Sequence, residues 1–194
     1  NVTDAETGTF GANLNTEIIQ EQKVLTGGIP AEYVGAPGLL SSVITKSGGP
    51  EFPASARYDI EDDSLVSDNK HSPDAKFSRD DLALTVSGPL FLKDRAWFFG
   101  SYRWINRDDD ITTLDTGEFI RTVSREDEQA FFKVSTALTE GQMLNLLYLD
   151  DPTTISGSTD RTVVANRDRA RDQRGPRYML DYSGAFGPVV VSAG

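Results

Sequence analysis

The chain of 194 residues contains no cysteine and a single histidine. Without cysteine, these residues form no disulfide framework, no thiolate zinc site and no cysteine nucleophile. The single histidine, His71, excludes a cluster of imidazole ligands around a metal ion. Its neighbours are polar, which favours an exposed loop residue over a member of a catalytic triad. We therefore predict no catalytic residue and no resident metal.

Long apolar runs and an excess of positive charge are also missing. No stretch approaches the ~20 apolar residues of a transmembrane helix. The chain carries 19 Lys+Arg against 30 Asp+Glu, a net charge of -11, which opposes a nucleic-acid partner. The composition leaves open an acidic soluble protein or a membrane β-barrel, whose strands need only about 9–11 residues each.

Familiar ligand-binding motifs are absent as well. Gly27-Gly28 and the glycines after Ser47 match neither a dinucleotide-binding nor a Walker pattern, so they indicate turns. The acidic runs at 61–63 and 108–110 lack EF-hand spacing, and solvated loop charge is favoured over a calcium site. The sequence therefore indicates no enzyme and no cofactor.

What the chain has instead is strict alternation of apolar and polar residues from Ala54 onward. In residues 54–62, Tyr58 and Ile60 share one face, whereas Arg57 and Asp59 share the other. The same period recurs in residues 81–88, 128–138, 143–149 and 178–183. Such alternation predicts a sheet with one apolar and one polar face. With a strand near Trp97 and the start of another at 189–192, we expect about six or seven strands.

The connections between these strands alternate in length. Short turns are predicted at 89–94, 139–142 and 187–188, and long polar loops at 64–76, 107–125 and 152–175. This rhythm is typical of outer-membrane barrels. Aromatic residues cluster near strand ends, which predicts two membrane-interface girdles; a soluble β-domain with an aromatic core is the alternative. These residues are Phe91, Trp97, Phe98 and Phe99 at one end, and Tyr102 and Trp104 at the other.

The stretch before Ala54 has a different character. It is rich in Gly, Asn and Thr, with a short helical turn predicted from Glu17 and strands at 22–25 and 39–46. Its segments 24–28, 31–33 and 43–48, followed by 97–102, resemble the plug-to-barrel junction of TonB-dependent outer-membrane receptors, in particular the Oar-like branch. The residues that carry this plug motif are Gly27, Gly28, Glu32, Tyr33, Lys46, Ser47 and Gly48.

The resemblance implies an all-β fold, a transmembrane antiparallel β-barrel preceded by the latter part of a plug domain. Residues 1–52 would belong to the plug, and residues 53–194 to the first barrel strands, with short periplasmic turns and long extracellular loops. Receptors of this class enclose the plug in a barrel of about 22 strands. We therefore expect the chain to be part of a longer protein in a bacterial outer membrane.

The function implied by the resemblance is TonB-dependent transport of a large solute, such as a peptide, glycan or metal chelate. The expected partners are a TonB-type energising complex, outer-membrane lipid and other envelope subunits. We expect polar contacts to hold the plug, because a dry interface would not release under force. The alternative is a non-transporting envelope β-protein, either a surface adhesin or a structural subunit. The residues expected to face the lumen are Arg57, Asp59, Asp81, Lys133, Asn145 and Asp181.

Overall fold

A computed structural model describes residues 15–25, 40–67, 76–90, 95–164, 167–168 and 170–193. Regular structure in these residues is almost entirely β, apart from short 3-10 turns at Thr16–Ile18 and Asp63–Leu65. The predicted all-β fold with antiparallel pairing is confirmed. Of the plug motif, Gly27, Gly28, Glu32 and Tyr33 lie outside the described residues, as does His71.

Two antiparallel sheets make up the described structure. β1 and β2 form a two-stranded sheet, and the other strands form a nine-stranded sheet in the order β11-β10-β7-β6-β5-β4-β3, with β8 and β9 attached. The strands are β1 (Ile19–Leu25), β2 (Leu40–Thr45), β3 (Ala54–Asp62), β4 (Phe77–Pro89), β5 (Ala96–Thr112), β6 (Phe119–Thr139), β7 (Gln142–Asp150), β8 (Thr153–Ser156), β9 (Arg171–Gln173), β10 (Arg177–Phe186) and β11 (Val189–Ala193).

The large sheet is a meander in which consecutive strands pair from β3 to β7 and β10 pairs with β11, while β10 also pairs with β7. Two of the predicted short turns are confirmed: Glu140-Gly141 joins β6 to β7, and Gly187-Pro188 joins β10 to β11. Gly187 has a φ of +63°, a backbone conformation that glycine adopts without the cost of a Cβ. The tight turns bring successive strands side by side, as the alternation pattern predicts.

β8 lies in line with β7, and β9 lies in line with β10, and the pairing register is the same on both sides of each interruption. Asp150 faces Ala130 and Thr153 faces Asp127, so β7 and β8 follow one ladder along β6. Likewise, β9 and β10 follow one ladder along β8 and β7. Pro152 and Pro176 lie at the two interruptions, where proline has no N–H for the ladder. The main path therefore consists of long strands, in accord with the predicted number.

The predicted long loop at residues 107–125 is wrong. β5 runs on to Thr112 and β6 begins at Phe119, so most of the segment is a strand pair closed by a short turn. The Thr113 hydroxyl accepts a hydrogen bond from the Glu118 N–H at 2.9 Å within that turn. Charged residues alternate between the two faces here, and a strand with charges on both faces has the composition of a loop. The predicted loop at 152–175 likewise contains β8 and β9.

In a soluble protein the apolar face of a sheet is buried and its polar face is exposed to water. In this large sheet the reverse holds: polar side chains are buried on one face and apolar side chains are exposed on the other. We call the face that carries the odd-numbered residues of β3–β7 and β10 the inner face, and the other the outer face. On the inner face, Asp81, Gln129 and Lys133 are at most 9% exposed. On the outer face, large apolar side chains are 40–58% exposed. They are Tyr58, Ile60, Leu84, Leu146 and Leu180.

Candidate functional site: the inner face and its docked segment

The segment from Asn15 to Ile18 and the β1–β2 pair pack on the inner face of the large sheet; we call them together the docked segment. Ile18 is completely buried against a patch of apolar side chains from β5, β6 and β7. Within that patch the rings of Phe99 and Phe131 meet edge to face at 6.0 Å between centroids. The other members are Leu147 and Leu149, with Ile19 and Met179 at the margin. Full burial of one aliphatic side chain contributes about 1.5–3 kcal/mol, so Ile18 anchors this contact.

Polar contacts surround the Ile18 anchor. The Asn15 side-chain amide donates to the Ser101 hydroxyl at 3.1 Å. On another side, the Arg57 guanidinium binds the Glu17 carboxylate at 2.8 Å. These contacts tie the docked segment to β3 and β5.

A further polar contact joins the docked segment to β6. The Lys133 ammonium donates to the Thr45 carbonyl oxygen at 3.4 Å and to its hydroxyl at 3.3 Å. Lys133 is among the buried residues of the inner face, so its charge is held where water has little access. Removing the docked segment would leave this ammonium without those oxygens.

Local backbone bonds present Ile18 to the sheet. The Asn15 side-chain oxygen accepts the Glu17 N–H at 2.9 Å, which caps the 3-10 turn. The Lys46 N–H donates to the Ile18 carbonyl at 2.8 Å and joins the turn to the end of β2. The turn and the strand pair are therefore one unit, so that Ile18 and Thr45 dock together.

Gly48 of the predicted plug motif lies directly against β5. A Cβ built on Gly48 would be 2.2 Å from the Phe98 carbonyl oxygen, so the backbones are too close for any side chain. At Gly49, by contrast, nothing lies within 4 Å of such a Cβ. Close approach to the sheet therefore explains the glycine at position 48. Of the other motif residues, Lys46 bonds to Ile18 through its backbone, and Ser47 follows it beyond the end of β2.

Ion pairs cover the inner face beyond the apolar patch. The buried Asp81 carboxylate binds Arg103 at 2.5 Å and Arg79 at 2.9 Å. Arg125 and Asp127 pair at 2.7 Å, and the Asp127 carboxylate also accepts the Thr153 hydroxyl at 2.6 Å. Each of these charges lies beside a partner of opposite sign, which makes this part of the wall polar.

All six side chains predicted to face the lumen lie on the inner face. Arg57 and Lys133 touch the docked segment, whereas Asp59 pairs with Arg57 at 2.7 Å. Asp81 belongs to the ion pairs described above. Asn145 and Asp181 line a shallow, open depression next to β11. The structure thus places the set on one face, and a role in lining a lumen stays a prediction.

The apolar residues of this site are not among those predicted from the sequence. We expected polar contacts alone to hold the docked segment, but Ile18 buries itself among Phe99, Phe131 and the leucines of β7. A signal was present in the sequence. At Phe98-Phe99, Phe131-Phe132 and Leu146-Leu147 two large apolar residues are adjacent, which breaks the alternation and places one of them on each face.

The predicted aromatic girdles need a similar correction. Phe99 is buried on the inner face, and Trp97 shares that face by register. Phe98 is on the outer face, where its ring lies 6.4 Å from that of Phe52 and 6.2 Å from that of Phe132. Three adjacent aromatics cannot share one face of a strand, because successive side chains point to opposite sides.

A second group of outer-face aromatics lies farther along the strands. Each ring donates a hydrogen bond to a carboxylate: Tyr58 to Asp80 at 2.6 Å, Tyr102 to Glu128 at 3.3 Å, and Trp104 to Glu126 at 2.9 Å. An aromatic ring whose O–H or N–H group is hydrogen-bonded suits the boundary between an apolar phase and water. The outer face therefore changes from apolar to acidic along its strands.

Neither a metal-binding cluster nor a membrane-spanning helix occurs in the part of the chain that the structure describes. No group of three or more His, Cys, Asp or Glu side chains there has the geometry to hold an ion. None of the described helices has the length and apolar character needed to cross a membrane.

Comparison with known proteins gives a partial similarity. The chain is 28% identical over 108 residues to the TonB-dependent transporter Oar of Myxococcus xanthus. The match covers 48% of this chain and 10% of that protein, so the chain spans about a tenth of its relative. No family model matches the chain, and no solved structure matches it. Assignment to the Oar-like branch stays a prediction.

Proposed function

We propose that the chain forms part of a TonB-dependent transporter in a bacterial outer membrane. In this proposal the large sheet is a portion of the barrel wall, and residues 1–52 belong to the plug. The docked segment is then the described part of that plug. We further propose that the chain has no catalytic role. The distant similarity to the Myxococcus xanthus transporter supports the proposal.

The observation that carries the proposal is the reversed polarity of the large sheet. Leu146 and Leu180 face each other on β7 and β10 and are 50% and 58% exposed, whereas Lys133 on β6 and Asp81 on β4 are buried on the opposite face of the sheet. In water this arrangement loses the apolar burial that folds a soluble sheet, worth roughly 25 cal/mol per Å². Against lipid, the same outer face is favourable and the inner face surrounds a polar interior.

The contacts of the docked segment suggest which bonds would break when the plug is released from the barrel wall. Energy from a TonB-type complex would pull on the plug, and the contacts of Ile18, Glu17 and Thr45 would have to break for a path to open. The ion pairs of Arg79, Asp81 and Arg103 would leave a polar wall along that path. A large solute such as a peptide, glycan or metal chelate would suit a polar route of this kind.

Lipid contact of the outer face tests the membrane location. Single cysteines can be introduced in a cysteine-free background of the full-length protein, fluorescently labelled and reconstituted with brominated phospholipid; the 194 residues contribute no cysteine of their own. The probe is expected to be quenched at Leu146→Cys and Leu180→Cys. It should remain bright at the neighbouring inner-face positions Asn145→Cys and Asp181→Cys. Equal fluorescence at neighbouring positions would contradict a lipid-facing wall.

A structural or adhesive envelope protein is the competing function. The tip of the β5–β6 hairpin favours it, because both strands extend past Asp109, where pairing with β4 ends. A projecting hairpin offers a surface to a partner protein or to another cell. Crosslinking of the full-length protein to TonB in its own host separates the two functions. A TonB adduct supports transport, and lipid quenching without an adduct supports the structural function.

A further inference from the structure

A short charged motif recurs in four consecutive strands of the large sheet. Each of the strands β3–β6 contains an arginine, one other residue and an aspartate, and the arginine and the aspartate of every copy lie on the inner face. The copies are Arg57-Tyr58-Asp59, Arg79-Asp80-Asp81, Arg107-Asp108-Asp109 and Arg125-Glu126-Asp127. In every copy the arginine binds the aspartate of its own strand.

The register of the sheet brings three of these arginines to one level. Arg79 faces Arg107 across the β4–β5 ladder, and Arg107 faces Arg125 across the β5–β6 ladder. We call these three residues the arginine row. Neighbouring strands lie about 4.8 Å apart, so the row is about 10 Å wide at the backbone. Farther along the same level, Ile155 faces Arg125, and the exposed Arg171 of β9 faces Ile155.

A polar wall alone does not require this arrangement, because like charges directly opposite one another destabilise a sheet. The aspartates lie on either side of the row: Asp81 and Asp127 toward the docked segment, and Asp109 toward the β5–β6 turn. At the level of the row itself, the one described carboxylate is Glu61 of β3. An exchange of Arg107 and Asp109 would alternate the charges across the sheet and remove the repulsion. The alignment of three positive charges therefore indicates a ligand of negative charge.

Arg107 and Arg125 keep hydrogen-bond donors for such a ligand. Each binds its aspartate through Nε and Nη2, at 2.6 and 2.8 Å in Arg107 and at 2.7 and 3.1 Å in Arg125. Within the described part of the chain, the Nη1 group of neither arginine donates a hydrogen bond. The two side chains are 50% and 45% exposed. Exposed guanidinium groups of this kind match the paired oxygens of a phosphate or a carboxylate.

Arg79 contributes charge rather than free donors. Its Nη1 group donates to Glu61 at 3.1 Å and its Nη2 group to Asp81 at 2.9 Å. The Arg79 side chain is 29% exposed, less than the other two arginines of the row. Arg79 therefore bounds the row on the β4 side.

The arginine row lies between the docked segment and the β5–β6 turn. On β5, Ser101 accepts a hydrogen bond from Asn15 of the docked segment, and Arg107 lies about 20 Å farther along the strand. In the proposed transporter, a solute that enters from the side of the β5–β6 turn would meet the row before it reaches the docked segment.

We propose that the arginine row binds an anionic solute that carries two or more phosphate or carboxylate groups. The oxyanions accept hydrogen bonds from the Nη1 groups of Arg107 and Arg125, and Arg79 adds positive charge beside them. The large solute of the proposed function is then an acidic peptide, an acidic glycan or an anionic chelate, and this step rests on that function. The anion site itself stands on the register and the contacts of the row.

Calorimetric titration of the full-length protein in detergent at low ionic strength tests the site. Inorganic tripolyphosphate and citrate are the two probes, and the tighter one shows whether phosphate or carboxylate is preferred. We expect binding that Arg107→Gln or Arg125→Gln weakens about tenfold, because each removes a charge-assisted hydrogen bond. Arg57→Gln, on the same face but outside the row, is the control and should keep the affinity. No binding of either probe, or an equal loss in Arg57→Gln, overturns the site.

Removal of a competing carboxylate gives a test in the opposite direction. Asp109→Asn weakens the hold on the Arg107 guanidinium and should tighten anion binding about threefold, a gain that a misfolded variant would not show. Asp110→Asn removes the same charge on the outer face, where Asp110 accepts the Thr122 hydroxyl, and should change the affinity little. Equal gains in the two variants would show that overall charge, rather than the row, attracts the anion.

The anion site and the transport function can fail separately. If the anion binds as expected but lipid quenching at Leu146→Cys and Leu180→Cys is absent, the transport function is wrong and the site stands. If quenching is found but neither probe binds, the site is wrong and the transport function stands.

Discussion

Replacement of Ile18 by alanine tests whether one apolar anchor holds the docked segment on the sheet. Ile18 is completely buried among Phe99, Phe131, Leu147 and Leu149. Truncating a buried isoleucine to alanine costs about 2–5 kcal/mol, through lost transfer energy and the cavity left behind. The neighbouring polar contacts remain, so we expect the lower part of that range, about 2–4 kcal/mol. The population of undocked molecules should then rise roughly 30- to 700-fold.

Hydrogen exchange of the full-length protein in detergent measures this effect. The informative amide is that of Lys46, which donates to the Ile18 carbonyl and should exchange only when the unit opens. Protection in β5 and β6 should be unchanged, because their ladders do not include Ile18. Val24→Ala is the matched control, since Val24 lies on β1 and is 49% exposed. If Ile18→Ala and Val24→Ala raise exchange equally and only slightly, the anchor interpretation is refuted.

The remaining predictions concern backbone approach and buried charge. Gly48→Ala should undock the segment, because the new Cβ would be 2.2 Å from a carbonyl oxygen of β5, whereas Gly49→Ala should be neutral; limited proteolysis of the full-length protein compares the two. Equal cleavage of both variants would contradict the close approach. Arg103→Ala leaves the Asp81 carboxylate buried with Arg79 alone and should cost about 2–3 kcal/mol, seen as a lower midpoint of thermal unfolding. The half-exposed pair of Arg107 is the control, and Arg107→Ala should cost below about 1 kcal/mol. Equal shifts would show that burial of Asp81 does not matter.

Local pattern predicted much of the secondary structure. The strands at 22–25 and 39–46 appear as β1 and β2, and the turn predicted from Glu17 appears as Thr16–Ile18. Past Arg107 the strands continue with polar residues on both faces, and their composition predicts a loop although the structure has strands. Charged side chains suit a strand when each finds a partner, as Arg107 does in Asp109 at 2.6 Å.

By itself, the sequence determined which residues share a face of the sheet. Arg57, Asp81 and Lys133 lie on one side because side chains alternate along every strand and the short turns keep the strands in register. This information is local, so it can be read from the sequence without knowledge of the rest of the fold.

Only the tertiary structure decided what covers the inner face. The contacts of Ile18 with Phe131 and Leu147 join residues far apart in the chain, and no periodicity encodes such a pairing. The same holds for Arg121 and Asp168, which form an ion pair although they are 47 residues apart in the chain. Alternation fixes the side of a sheet on which a residue lies, whereas the partner on that side is set by long-range packing.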